Sequence, residues 1–317
     1  MISRRGFLHL TAAAAASSAP TMTSEERVHR ALRGEEADRP PFTFWHHFGL
    51  ENEPGERHAK ATLDFHRKFR TDIVKVMSDF PYPRPQGKWH ELAVESSPFP
   101  DQLDALETIR DGLGRGVPFV ETIFNPWNQA EKLSSKEEVR RMKDEQPGRL
   151  LAALQAIAES EAHHAKKAVA LGAAGIFLAV ANAQEGILTR EEYAKFSRPF
   201  DEFVLHAVAG ARLNILHVHG EKPYLDLFLK GWPAAVVNYS IDATGVPLAE
   251  ARRQYDGVLM GGIDEVNFRN LGAADLKRQA EAARQAAGPR FILAPGCSVP
   301  DPSTDEELRR LPDMLGA

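Results

Sequence analysis

Asn214-Ile215-Leu216-His217-Val218-His219-Gly220 is a short apolar run that ends in two imidazoles and a glycine. A run of this length, rich in branched aliphatic residues and closed by a turn residue, reads as a buried β-strand. Successive side chains of a strand point to opposite faces, so His217 and His219 share one face. Similar runs occur at 41–45, 72–77, 117–124, 175–180, 213–219, 235–241, 258–263 and 291–294, which makes eight. Segments of helical periodicity lie before and between them, at 24–33, 58–69, 102–111, 136–142 with 150–171, 190–208, 223–229, 248–255 and 273–286. Such alternation calls for a parallel sheet with helical crossovers. Eight units in one domain over 22–317 predict a (β/α)8 TIM barrel with an N-terminal helical extension. A doubly wound open sheet is the alternative. No glycine-rich dinucleotide fingerprint or phosphate-loop lysine motif follows any of the runs.

The chain has 317 residues, 43% hydrophobic and 26% charged, enough for one large core. A net charge of -5 without a basic block argues against nucleic acid and against an acidic membrane surface. The start, with Arg4-Arg5-Gly6-Phe7-Leu8 and a run of small residues up to Pro20, reads as a twin-arginine export signal over 1–21, too short to span a membrane. The mature protein is then periplasmic or exported, with no membrane contact once the signal is removed. If translation starts at Met22, with Ser24 as a helix cap, it is cytoplasmic.

Barrel enzymes place their chemistry at the C-terminal ends of the strands. Polar residues gather there: His46 and His47, Ser78 and Asp79, Asn125, Asn182, His217 and His219, Asn238 to Asp242, Asp264 and Glu265, and the only cysteine, Cys297. His217, His219 and Cys297 offer two imidazoles and a thiolate to one ion. Three N/S ligands with a fourth position open are the pattern of catalytic zinc. The same three residues also suit hydrogen-bonded strand ends and a small buried thiol. Strands five and eight are three neighbours apart, at roughly 4.8 Å per step, so Cys297 must reach across the mouth, helped by Gly296.

From about Glu25 to Leu308 the chain resembles the uroporphyrinogen decarboxylase superfamily of porphyrinogen decarboxylases and zinc-dependent corrinoid methyltransferases. The likeness rests on Arg27-Val-His-Arg-Ala-Leu-Arg-Gly34, Asp38-Arg-Pro-Pro41, Ala170-Leu-Gly-Ala-Ala-Gly-Ile-Phe177, Pro199-Phe200, Leu216-His-Val-His-Gly220, Gly261-Gly-Ile-Asp264 and Phe291-Ile-Leu-Ala-Pro-Gly-Cys297. It implies a (β/α)8 barrel. From the decarboxylase branch it implies Asp79 as the essential carboxylate after the second strand. That branch also carries arginine after the first strand to hold a polycarboxylate, whereas this chain has Phe44-Trp-His-His-Phe-Gly49. From the methyltransferase branch it implies a zinc site, with His217-x-His219 standing where that branch has His-x-Cys, and Cys297 as the later thiolate.

The resemblance therefore points to a metal-dependent enzyme that activates a thiol or water on a small-molecule substrate, with a corrinoid-bound methyl donor and a corrinoid protein as partner. His46, His47 and Asp79 are the expected catalytic residues. Trp45, Asn182, Asp242 and Asp264 are expected to bind substrate, and His217, His219 and Cys297 to bind zinc. Two other readings stand beside it: a cofactor-free decarboxylase (lyase) using Asp79, and an exported barrel that binds a ligand or metal without chemistry.

Overall fold

The computed structural model describes residues 22–77 and 79–317. The expected export signal over 1–21, and Ser78, lie outside the described residues. Helices α1 (Ser24–Arg33) and α2 (Gly55–Phe69) precede β1 (Val74–Val76), and α3 (Pro100–Leu113) leads to β2 (Phe119–Phe124). Three helices, α4 (Pro126–Leu133), α5 (Lys136–Glu145) and α6 (Pro147–Ala170), separate β2 from β3 (Gly175–Val180). Next come α7 (Arg190–Phe196), α8 (Arg198–His206), β4 (Ile215–Val218) and β5 (Val236–Tyr239). The chain ends with α9 (Ile241–Thr244), α10 (Leu248–Gln254), β6 (Val258–Ile263), α11 (Ala273–Ala287), β7 (Phe291–Pro295) and α12 (Asp305–Leu315). All strand pairs are parallel and the sheet runs in sequence order from β1 to β7.

Among the described residues seven strands form where eight are expected. The run 41–45 is reduced to a single bridge between Phe42 and Leu293. Pro40 and Pro41 have no N–H to donate, so a regular ladder cannot start there. The segment nevertheless bonds on both sides. Leu293 N–H donates to Pro41 O at 2.9 Å and Thr43 N–H to Leu293 O at 3.1 Å, while Asp72 N–H donates to Phe42 O at 2.9 Å. Thr43 Oγ1 also donates to Ile73 O at 2.8 Å. These bonds tie β7 to the residues just ahead of β1, so the parallel sheet curls and its inward side chains form one core of Trp45, Met77, Val120, Phe177, Ile215 and Ile292, among others. Burying a side chain as large as Phe177 stabilises by roughly 1.5–3 kcal/mol.

Other differences have local causes. The helix expected over 190–208 breaks at Ser197, outside helical φ/ψ just ahead of Arg198-Pro199. The one expected over 223–229 is only a 3-10 turn at Leu225–Leu227. Helices α4 and α12 are additions, each opened by a capping side chain, Asn125 and Thr304. The cap of α1 is Thr23 rather than Ser24, whose hydroxyl instead donates to Asp72 Oδ1 at 2.9 Å. Asp72 is buried and also binds the Arg27 and Arg39 guanidinium groups, which moors α1 beneath the start of the sheet. No helix among the described residues is long and apolar enough to cross a membrane.

Candidate functional site

β4 carries His217 inward, and the chain stays extended one residue further, with His219 N–H donating to Val180 O at 2.9 Å. Cys297 leaves the end of β7 and turns back to meet them. Its Sγ lies 3.7 Å from His217 Nε2 and 3.3 Å from His219 Nδ1, and the three ligand atoms all fall within 4.8 Å of one another. A tetrahedral zinc with ordinary bond lengths separates sulfur from nitrogen by about 3.5 Å. The donor set therefore fits the ion the sequence suggested.

The surroundings fix the orientation of these atoms. His217 Nδ1 sits 2.6 Å from Asn238 Oδ1, and the Asn238 amide spends its own protons on Met260 O at 3.0 Å and Pro295 O at 3.2 Å. The amide oxygen therefore faces the imidazole, which places a proton on Nδ1 and turns Nε2 toward Cys297. Burial alone raises the Cys297 thiol, but its hydrogen bonds with His217 and His219, and their charge, bring it down to about 4. The sulfur is then a thiolate at neutral pH, the form that binds metals. Glu265, buried, accepts from Gly296 N–H at 3.1 Å and steadies the turn into Cys297. Gly296 is required there by close approach: a Cβ would fall 2.4 Å from the Ser240 backbone.

The three residues face a cavity of about 140 Å³, also lined by Trp45, His47, Lys75, Phe124 and Phe177. It adjoins a chamber of about 480 Å³ lined by Asp79, Tyr82, Arg84 and Lys132, with His47 and Phe124 common to both. Asp79 Oδ1 is 3.1 Å from His47 Nδ1, while its Oδ2 is buried without a partner among the described residues. Burial pushes this carboxyl up, but the His47 hydrogen bond and the charges of His47 and Lys75 hold it below the usual range.

Of the residues expected to act, Trp45 and His47 reach the first cavity and Asp79 the second. His46 turns the other way, between the rings of Phe48 and Phe65, where burial lowers its basicity. Asn182 is fully buried and accepts from Asn125 Nδ2 at 2.8 Å, within a network that includes Ser197 and Asp201. Asp242 is exposed on the first turn of α9. Asp264 closes a turn by accepting from both nitrogens of Asn267. None of these last four lines either chamber. Sequence reasoning missed Lys75, hidden in a strand read as apolar, and Arg84, in the long connection after β1. It also missed the positioning roles of Asn238 and Glu265. A charged residue in the middle of an apolar run was the available signal for Lys75.

A curled parallel sheet with helical crossovers and polar side chains at its C-terminal strand ends defines an α/β enzyme class. The family model for uroporphyrinogen decarboxylase (URO-D) matches residues 81–315. The chain belongs to the URO-D family. It is 24% identical over 321 aligned positions to the uroporphyrinogen decarboxylase of Tolumonas auensis, covering 84% of this chain and 88% of that protein. Among solved structures it is similar to a methyltransferase from Methanosarcina mazei, with a TM-score of 0.74 at 19% identity over 93% of this chain and 99% of the other. A B12-independent methionine synthase from a Shewanella species shares the fold more loosely, with a TM-score of 0.53 at 12% identity over 87% and 91% of the two chains.

Proposed function

We propose that the chain is a metal-dependent enzyme of its family, in which His217, His219 and Cys297 hold zinc and a small-molecule thiol or water is activated beside them. The observation that carries this reading is the convergence of one sulfur and two nitrogens at 3.3 and 3.7 Å. Bound zinc supplies positive charge that lowers the pKa of a coordinated thiol or water. Two neutral imidazoles with one thiolate leave more of that charge uncompensated than two thiolates do, which favours activation over donor strength.

The chain's own residues do the rest. Asn238 holds the His217 tautomer, Glu265 holds the loop of Cys297, and the rings of Trp45 and Phe177 exclude water from the inner end of the cavity. Asp79 and His47 form a hydrogen-bonded pair at the opening between the chambers, suited to take up and pass on a proton. Methyl transfer from a corrinoid-bound donor is the reaction this reading favours; a change in the visible spectrum of an added methylcorrinoid tests it. Export by the twin-arginine route is part of the same proposal, tested by cell fractionation of an Arg4→Lys, Arg5→Lys variant.

The deciding experiment is metal content of the purified chain beside His219→Ala and Cys297→Ser. Both variants should lose zinc and keep the fold, since a catalytic ion on a large core is not needed to bury it. Equal zinc in all three would end this reading. A second reading, metal-free decarboxylation, is favoured by one observation: the unpartnered Oδ2 of Asp79 in the chamber that also holds Arg84 and Lys132. Turnover of a porphyrinogen in the presence of a chelator would establish it instead.

A further inference from the structure

Two charged side chains are buried on the strands β1 and β2, one on each face of the sheet. Glu121 of β2 points outward, and both its oxygens are used: Gln102 Nε2 donates to Oε2 at 2.8 Å, and His164 Nε2 lies 2.8 Å from Oε1. Lys75 of β1 points inward and is only 8% exposed. Its ammonium donates to the Met77 sulfur at 3.0 Å, and among the described residues no carboxylate lies within ion-pairing distance. The charge rests instead over Phe177 at 4.6 Å and Trp45 at 5.2 Å from the ring centroids. An ammonium carries three donors, and a thioether is a weak acceptor. Two cation–π contacts return roughly 0.5–2 kcal/mol each, less than the several kcal/mol that burial of an unpaired charge costs. Among the described residues Lys75 thus has no anion in direct contact, and it faces the cavity that holds His217, His219 and Cys297.

We infer that Lys75 anchors a single carboxylate of the substrate, so that the substrate is a small monocarboxylate held by its acid group at this lysine and presenting its reacting atom to His217, His219 and Cys297. The placement of the reacting atom rests on the metal reading above; the pairing of Lys75 with an anion does not. One ammonium matches one negative charge, and the aromatic walls formed by Trp45 and Phe177 suit the short apolar part between acid and reacting atom. A phosphate dianion would leave a charge uncompensated in a cavity of about 140 Å³.

The test is binding of acetate, acetamide and inorganic phosphate to the full chain as purified, followed by ligand-observed NMR, in the wild type, Lys75→Met, Lys75→Arg and Cys297→Ser. Acetate should bind about tenfold more tightly than its uncharged isostere acetamide, the scale of one charge-assisted hydrogen bond. That preference should vanish in Lys75→Met, persist in Lys75→Arg and in Cys297→Ser, and leave zinc content unchanged in both lysine variants. A preference that survives Lys75→Met overturns the proposal; if it then disappears in Cys297→Ser, acetate sits on the metal and only the lysine anchor has failed. No acetate preference in the wild type, or tighter binding of phosphate than of acetate, overturns it as well. Because the wild-type comparison of acetate with acetamide stands alone, poor folding of Lys75→Met would not shelter the idea.

Discussion

The wall that ends in His217, His219 and Cys297 and the wall that carries Trp45, His47 and Lys75 line the same cavity and are finished in different ways. On the first, His217, Asn238, Glu265 and Gly296 are linked by hydrogen bonds into a frame that holds Cys297 against two imidazoles. On the second, among the described residues, the Lys75 ammonium donates only to a sulfur, and Asp79, at the adjoining chamber, keeps one buried oxygen without a partner. A preassembled ligand cluster suits an ion that must be held in fixed geometry. Unsatisfied charges of opposite sign suit a substrate that arrives, completes them and leaves. On the reading proposed above, the difference assigns the two walls to two binding events.

The largest effect should come from the finished wall. Cys297→Ser removes a proposed direct ligand and should weaken zinc binding by more than the ~10–100-fold typical of an outer partner, read by competition with a chromogenic chelator. Retained affinity would break the division between the walls. Next comes the unfinished wall, through pH. Burial pushes Lys75 down from 10.5 to about 8, against the pull of Asp79, Cys297 and Glu121. Its folded pKa lies below its unfolded one, so charging it costs stability below about pH 8, on the order of 3 kcal/mol, and this cost fades as pH rises to 10.5. Denaturant unfolding of Lys75→Met should therefore show a gain over wild type near pH 7 that shrinks toward pH 10.5. A pH-independent difference would mean the ammonium is already paired.

Asn238→Ala should sit between the walls in kind. It takes the partner from His217 Nδ1 and one hydrogen bond from each of the Met260 and Pro295 carbonyls, for about 1–3 kcal/mol of stability, and should cost ~10-fold or more in zinc affinity. Stability lost with zinc affinity unchanged would show that Asn238 braces the strands alone. The smallest effect belongs to Asp242→Asn, on the exposed face of α9, within about 0.5 kcal/mol and with zinc and acetate binding unchanged. A measurable loss in either would return Asp242 to the site.

The alternation of apolar runs with helical periods was enough to predict a parallel α/β sheet, and period-two alternation was enough to place His217 and His219 on one face. Both are local properties of a chain, written within a few residues. The same logic overran at 41–45, where two prolines left a bridge in place of a strand. It also could not sort the polar residues at strand ends. His46 and His47 are adjacent, yet one is walled in by phenylalanines and the other opens on both chambers.

What the sequence determined by itself was the order of strands and helices, the family, and the types of donor that could meet, because residue type and spacing act over short range. What only the tertiary structure decided was which donors do meet. Cys297 reaches His217 across 80 positions of chain, Asn238 reaches it across 21, and Lys75 is left without an ion-pair partner among the described residues because Glu121 faces the helices. Pairing of charges and hydrogen bonds depends on distances of a few ångströms between remote segments, and those distances exist only once the sheet has curled.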